Sequence, residues 1–446
     1  MTAPPHRLRG SCLAINTVLM TVGFVLQAAT SLRASQACFD LVVTLQGGLP
    51  FESASHTTIQ NWILRIGLYE LQRSKEFAND WIWIVDHTIQ IGPIKVLLIL
   101  GIRRSKWIQL HRPLVPTDLE VLELLPVEIS NGEVVCEQYA AVARRSGVPQ
   151  AILSDQGSDL QRGLKLLQNQ HPDVIGLSDV THKVASLLKA LLESDEAWMA
   201  FKTRCGTTKA AIQQTPLAHL VPPKFKTKAR YMNVSEQIRW GQTVCSLLQR
   251  HRAGTLSATQ QADLPADLLN EKLGWVESWA DSLAVWSELI NLGQQACSLV
   301  RRWGYARGVA EQVNETLPVA VTERGRQLRS QLIEFVRTEC AKLPSGRSFP
   351  GSSEVIESLI GKGKRLEGQQ SQSGFTRYVL GLAASVATPT ASLLESVSEA
   401  VGIKHLTQWL TEHLPPSLQS KRLRDLGRRT KEQKQDNPNA REIATF

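Results

Sequence analysis

The residues best placed to do chemistry are three aspartates, one in the middle of an apolar run and two where a short one ends. Trp81-Ile82-Trp83-Ile84-Val85 leads into Asp86, Ala151-Ile152-Leu153-Ser154 into Asp155, and Val174-Ile175-Gly176-Leu177-Ser178 into Asp179. Short apolar runs bounded by turn residues are the pattern of buried strands. An ionised carboxylate in such a place is costly to desolvate unless something pairs with it. Asp86 taken alone could cap a turn or meet an arginine. The recurrence supports a second reading, because aspartates at the ends of neighbouring strands converge at one edge of a sheet. There, hard oxygen ligands can hold a divalent metal ion.

The elements that must carry these residues follow from the surrounding pattern. Residues 81–92 and 95–101 read as a β-hairpin joined by a Gly-Pro connection, with a third strand expected at Lys106-Trp107-Ile108-Gln109-Leu110. A helix bearing Cys136, Tyr139, Ala140, Val142 and Ala143 comes next, then the Asp155 strand, a helix over 158–169, and the Asp179 strand. Three strands followed by helix-strand-helix-strand is the order of an RNase H-like mixed sheet.

Helical sequence flanks this core. The apolar stretch from Ser11 to Ala29 follows Arg7 and Arg9, as a signal peptide or membrane span would. It also carries Asn16, Thr17, Thr21 and Gln27, and it reads as a core helix. Residues 32–39 and 55–65 suit the two helices of a helix-turn-helix. Ser55 is a natural N-cap, and Ile59, Trp62, Ile63 and Ile66 would bury one face. The other face presents His56, Thr57, Gln60, Asn61 and Arg65, groups suited to base edges and phosphates, or to plain solvent.

From Lys183 to about Pro350 the sequence is helical throughout, with tryptophans that read as packing between helices. It includes a dense basic stretch in which Lys224, Lys226, Lys228 and Arg230 would track DNA phosphates. A Gly/Ser/Pro loop at 345–353 then opens a helix carrying Glu354 and Glu357. The expected organisation is a helical domain over 1–78, a core over 79–184, a helical insertion over 185–345, the rest of the core over 346–415, and a basic, disordered tail over 416–446.

Composition bounds the function. The chain has 446 residues, 43% hydrophobic and 20% charged, enough for a globular protein of several domains. A net charge of +9 favours a polyanionic partner. Seven cysteines without a Cys-x-x-Cys pair read as free thiols in a reducing compartment and speak against a zinc site.

Together these features resemble the bacterial insertion-sequence transposases of the DDE class, over roughly residues 30–385. Val85-Asp86-His87-Thr88 and Leu153-Ser154-Asp155-Gln156-Gly157 match the first two motifs. The 351–358 stretch is similar to Ser-x-x-x-Glu-Ser, and Asp179-Val180-Thr181-His182 looks like the Asp-x-x-His of families with a helical insert. The resemblance implies an RNase H-like catalytic core, interrupted by a helical insertion and preceded by a helix-turn-helix domain. It implies two magnesium ions, with manganese as a substitute, held by Asp86, Asp155 and Glu357 for DNA strand cleavage and strand transfer. His182 would stand by the scissile phosphate, Asp179 is a further site candidate, and Glu354 is the alternative to Glu357. Glu357 is preferred because Ser358 follows it and Lys364 lies seven residues on, similar to a Glu-x6-Lys spacing whose lysine holds a transposon-end phosphate. The Tyr and Arg that precede the glutamate in that group are absent, with Pro350 and Ser353 here instead. The implied partners are double-stranded DNA, as transposon ends and target, and further copies of the chain in a dimer or higher oligomer on DNA. The implied location is the bacterial cytoplasm with the nucleoid, without membrane attachment. The competing readings are another RNase H-like nuclease and a DNA-binding protein with a degenerate catalytic domain.

Overall fold

In the computed structural model the strands form where the apolar runs predict, with one exception. The structure describes residues 7–9, 12–46, 52–91, 94–224, 234–367, 377–414, 416 and 418–427. The Gly92-Pro93 connection, Lys226, Lys228, Arg230 and most of the basic tail lie outside these residues. The strands are β1 (Trp81–Ile91), β2 (Ile94–Arg103), β3 (Glu120–Val127), β4 (Ala151–Ser154) and β5 (Ile175–Ser178), with a two-residue pair β6 (Tyr305–Ala306) and β7 (Ser348–Phe349). The first five make one sheet in the order β3-β2-β1-β4-β5, with β2 and β3 antiparallel and β4 and β5 parallel. This mixed sheet fits an RNase H-like core. Trp81 to Val85 and Ala151 to Ser154 are completely buried, which explains why they read as unbroken apolar runs rather than as alternation.

The exception is the third strand. Residues 106–110 do not extend the sheet; Arg104–Trp107 is a short helix, and Ile108 is 45% exposed. The third strand is β3, whose Pro126 lacks an amide donor and is tolerated because β3 lies at the sheet edge. Its register against β2 shifts between Ile99 and Leu100, where the pairing passes from Glu123 to Val121 and leaves Leu122 as the extra residue of a bulge. Gly101 makes room for it, since a Cβ there would come 2.5 Å from Leu122 Cδ1.

The chain forms two compact units, one of residues 1–102, 114–148 and 355–446, the other of residues 103–113 and 149–354. In the first, the helices Ile15–Leu26, Leu32–Leu45 and His56–Gln72 share one hydrophobic core with Leu366, Tyr378, Ala384, Leu394 and Val397. The Ile15–Leu26 helix has 12 residues, and among the described residues no helix is long and apolar enough to cross a membrane. Of its buried polar groups the Thr21 hydroxyl is absorbed locally, Oγ1 donating to the Thr17 carbonyl at 2.7 Å.

The His56–Gln72 helix corrects the expectation of a free groove-reading face. Ser55 caps it as expected, accepting from the Thr58 amide. From Trp62 onward, however, it is buried nearly all round, because the chain after residue 377 returns over the polar side. Arg65, expected to meet DNA, is 6% exposed. Its Nε donates to the Val401 carbonyl at 2.6 Å, its guanidinium lies 4.1 Å from the centre of the Trp62 ring, and burial lowers its pKa. At Gly67 the crossing with the Val379–Ala384 helix is so close that a Cβ would come 2.0 Å from the Leu380 carbonyl oxygen.

In the second unit the helices from Val180–Glu193 to Glu323–Ala341 follow β5. Most of the tryptophans of this region pack as the sequence suggests, with Phe201 surrounded by the rings of Trp198, Trp240, Trp275, Trp279 and Trp286. At the end of the edge strand β5, side chains satisfy both backbone groups of Ser178. Tyr305 Oη donates to the Ser178 carbonyl at 2.9 Å, and Glu339 Oε2 accepts from the Ser178 amide at 3.0 Å.

Gly67→Ala should destabilise the first unit by at least the roughly 1–3 kcal/mol of an overpacked core, since only backbone can give way. Urea unfolding followed by tryptophan fluorescence would show it, and an unchanged midpoint would mean the two helices do not touch at this glycine.

Candidate active site

Asp86 stands in β1 where complete burial gives way to partial burial. Its Oδ1 accepts from the His87 amide at 2.7 Å, and His87 Nε2 lies 2.9 Å from Ser130 Oγ. Asp155 directly follows β4 and is half-buried. Its Oδ1 accepts from the Gly157 amide at 2.9 Å, an aspartate-initiated turn that releases the chain from the strand into the Ser158–Gln170 helix. Gln161 Nε2 holds the same turn by donating to the Asp155 carbonyl at 3.0 Å. A Cβ on residue 157 would come 2.9 Å from Asp155 Oδ1, so glycine lets the loop close against the carboxylate.

Asp179 is different in kind. It is 1% exposed and caps the Val180–Glu193 helix, its Oδ1 accepting from the Thr181 amide at 2.7 Å. Its other oxygen accepts from Ser353 Oγ. Two further bonds strap the same segments together: the Val180 amide donates to the Gly351 carbonyl at 3.0 Å, and Thr181 Oγ1 lies 3.2 Å from Ser352 Oγ. Gly351 fits only without a side chain, because a Cβ would meet Val300 Cγ1 at 2.4 Å. Beside the strap, burial first and the Asp179 charge second push the Cys297 thiol up to about 12.

The remaining candidates occupy varied settings. His182 Nε2 lies 3.9 Å from Asp179 Oδ2, beyond hydrogen-bond length, with its side chain 32% exposed. Glu354 pairs with Arg301 of the Ala280–Trp303 helix, while Glu357 is half-buried one turn further along the Glu354–Glu367 helix. Lys364 is exposed on the last turn of that helix. Thr57 and Lys224 are exposed, Asn61 is half-buried, and Gln60 hydrogen-bonds the Tyr378 side chain. Among the described residues, no group of three or more His, Cys, Asp or Glu side chains could hold a metal ion. Sequence reading missed the strap from Gly351-Ser352-Ser353 to Asp179; the signal available was a pair of small hydroxyl residues placed directly before a helix.

No family model matches the chain, and no curated protein does. Among solved structures, it is similar to a chain of the Drosophila P element transposase strand transfer complex. That match has 11% identity and a TM-score of 0.29, and covers 93% of this chain and 85% of that one.

The strap makes a quantitative prediction. Asp179→Ala should cost about 2 kcal/mol, combining a lost helix cap with an orphaned buried hydroxyl. Ser353→Ala should cost less, and the double variant should show a coupling of roughly 0.5 kcal/mol or more in a double-mutant cycle. Strictly additive melting shifts would show that the two side chains do not interact.

Proposed function

We propose that the chain is a DNA transposase of the insertion-sequence kind, cutting phosphodiester bonds in duplex DNA and joining the freed ends to target DNA. The observation that supports this most is the mixed sheet. Its order fits an RNase H-like core, and its strands β1 and β4 deliver Asp86 and Asp155 where their fully buried runs end. Phosphodiester cleavage needs a positioned nucleophile and positive charge on the phosphoryl oxygens. Carboxylates are the donor type that hard divalent cations prefer, so a requirement for magnesium, with manganese as substitute, belongs to the same proposal.

In this reading Glu357 is the third acidic residue, and Lys364 meets a phosphate of the transposon end. His182 donates a hydrogen bond to the phosphate being cut. Asp179 has both oxygens engaged by Thr181 and Ser353, and acts as a positioning residue rather than a ligand. The partner is double-stranded DNA, on which the chain works as a dimer or larger assembly.

The test is nicking of supercoiled plasmid in magnesium or manganese, with chelator as control. The wild type should nick. Asp86→Ala, Asp155→Ala and Glu357→Ala should each lose roughly 100-fold or more, the scale of removing a group that stabilises transition-state charge, while still binding duplex. Glu354→Ala should keep cutting. An alanine variant that nicks at the wild-type rate removes its residue from the centre. A wild type that binds duplex and never nicks would be a DNA-binding protein with a degenerate catalytic domain.

A further inference from the structure

One stretch of this chain carries a large surplus of positive charge. Residues 197–252 hold ten lysines and arginines against a single acid, Glu236, a surplus equal to the net +9 of the whole protein. Everywhere else, forty basic residues balance forty acidic ones. A polyanion approaching the chain is therefore drawn to this stretch.

The structure shows what part of that stretch presents. The Ser235–Arg252 helix turns Ile238, Gly241, Val244, Cys245 and Leu248 into the core of the second unit. Helical periodicity then fixes the opposite face, where Arg239, Gln242, Thr243, Ser246 and Arg250 are all exposed. With His219 they line an open groove of about 560 Å3. The two arginines are eleven residues apart, about 16 Å along the axis at the α-helical rise, with the Ser246 hydroxyl and the Gln242 amide between them, while Thr243 Oγ1 donates to the Arg239 carbonyl at 2.8 Å. Guanidinium groups spaced by hydroxyl and amide donors are the side chains that contact phosphate oxygens along a nucleic-acid backbone. The groove lining contains no Phe, Tyr or Trp, and the neighbouring Trp240 spends its indole N–H on the Leu220 carbonyl at 2.8 Å. Asp263 also lines the groove, where its charge opposes a phosphate.

We propose that this groove is a track for the phosphodiester backbone of duplex DNA, adding affinity without reading sequence. The proposal rests on the reading of the chain as a DNA-cutting enzyme and locates where the helical region grips the duplex. The counterion-release rule makes it measurable, since each lost phosphate contact removes about 0.9 from the slope of log K against log salt.

The experiment is fluorescence anisotropy of the full chain with a labelled duplex of arbitrary sequence across a potassium chloride series. Arg239→Gln combined with Arg250→Gln should lower the slope by about 1.8, the value for two phosphate contacts, equally for unrelated sequences. Asp263→Asn should tighten binding. All three side chains are exposed, so thermal melting should match the wild type and confirm the fold. A double variant with the wild-type slope and affinity would overturn the groove while leaving plasmid nicking, and hence the functional reading, intact. Preferential binding of the wild type to phosphatidylserine vesicles over duplex, lost in the double variant, would overturn it in favour of a membrane surface. A wild type that binds no duplex at any salt would sink both readings together.

Discussion

A buried carboxylate with two donors holds the second unit in register. Asp179 and Ser353 are 174 positions apart in the chain, yet their side chains are hydrogen-bonded. Closing so long an excursion is inexpensive in principle, because loop entropy grows only logarithmically with length. What it requires is a dependable closure, and a buried charge provides one: left unpaired, Asp179 would be strongly destabilising. The carboxylate therefore selects the arrangement in which Ser353 returns to the start of the Val180–Glu193 helix. Tyr305 and Glu339 make the same connection one residue earlier, on the two backbone groups of Ser178.

Between these ties, the excursion carries a core of its own. Five tryptophan rings around Phe201 supply apolar area that helices of modest amphipathicity could not supply alone. A carboxylate set against that cluster is managed in the same manner as Asp179. Burial alone would raise the Asp195 carboxyl, but hydrogen bonds from Trp286 and Arg324, with the arginine's charge, hold it below its ordinary value. With its interior self-sufficient, the region is free to carry its surplus of positive charge on the outside.

What the sequence revealed and what it hid have physical causes. Strands β1, β2 and β4 were legible because burial of nearly the whole run leaves it unbroken and apolar between turn residues, and β5 because Ile175 and Leu177 stand between such residues although only its last two are buried. Strand β3 was hidden because its glutamates and Pro126 dilute the pattern, as an edge position permits, while Trp107-Ile108 imitated a strand within a short helix. The His56–Gln72 helix was misread for a tertiary reason. Its periodicity identified the buried face given by Ile59, Trp62 and Ile63, but not the second covering supplied by residues more than 300 positions later. Arg65 looks like a surface cation by type and becomes a core residue only because Val401 offers it a carbonyl. Asp179, like Asp155 a strand-end aspartate by sequence, separates from it only when its donors are seen.

The central claim is that Asp86, Asp155 and Glu357 bind the metal ions used to cut DNA. Its most direct test is to replace magnesium with ferrous iron, add ascorbate and peroxide, and map where the polypeptide is cut by radicals generated at the bound ion. The account predicts cuts near Asp86, just after β4 at Asp155, and in the first turns of the Glu354–Glu367 helix, all suppressed by excess magnesium. Cuts confined to other positions, or none that magnesium suppresses, would contradict it.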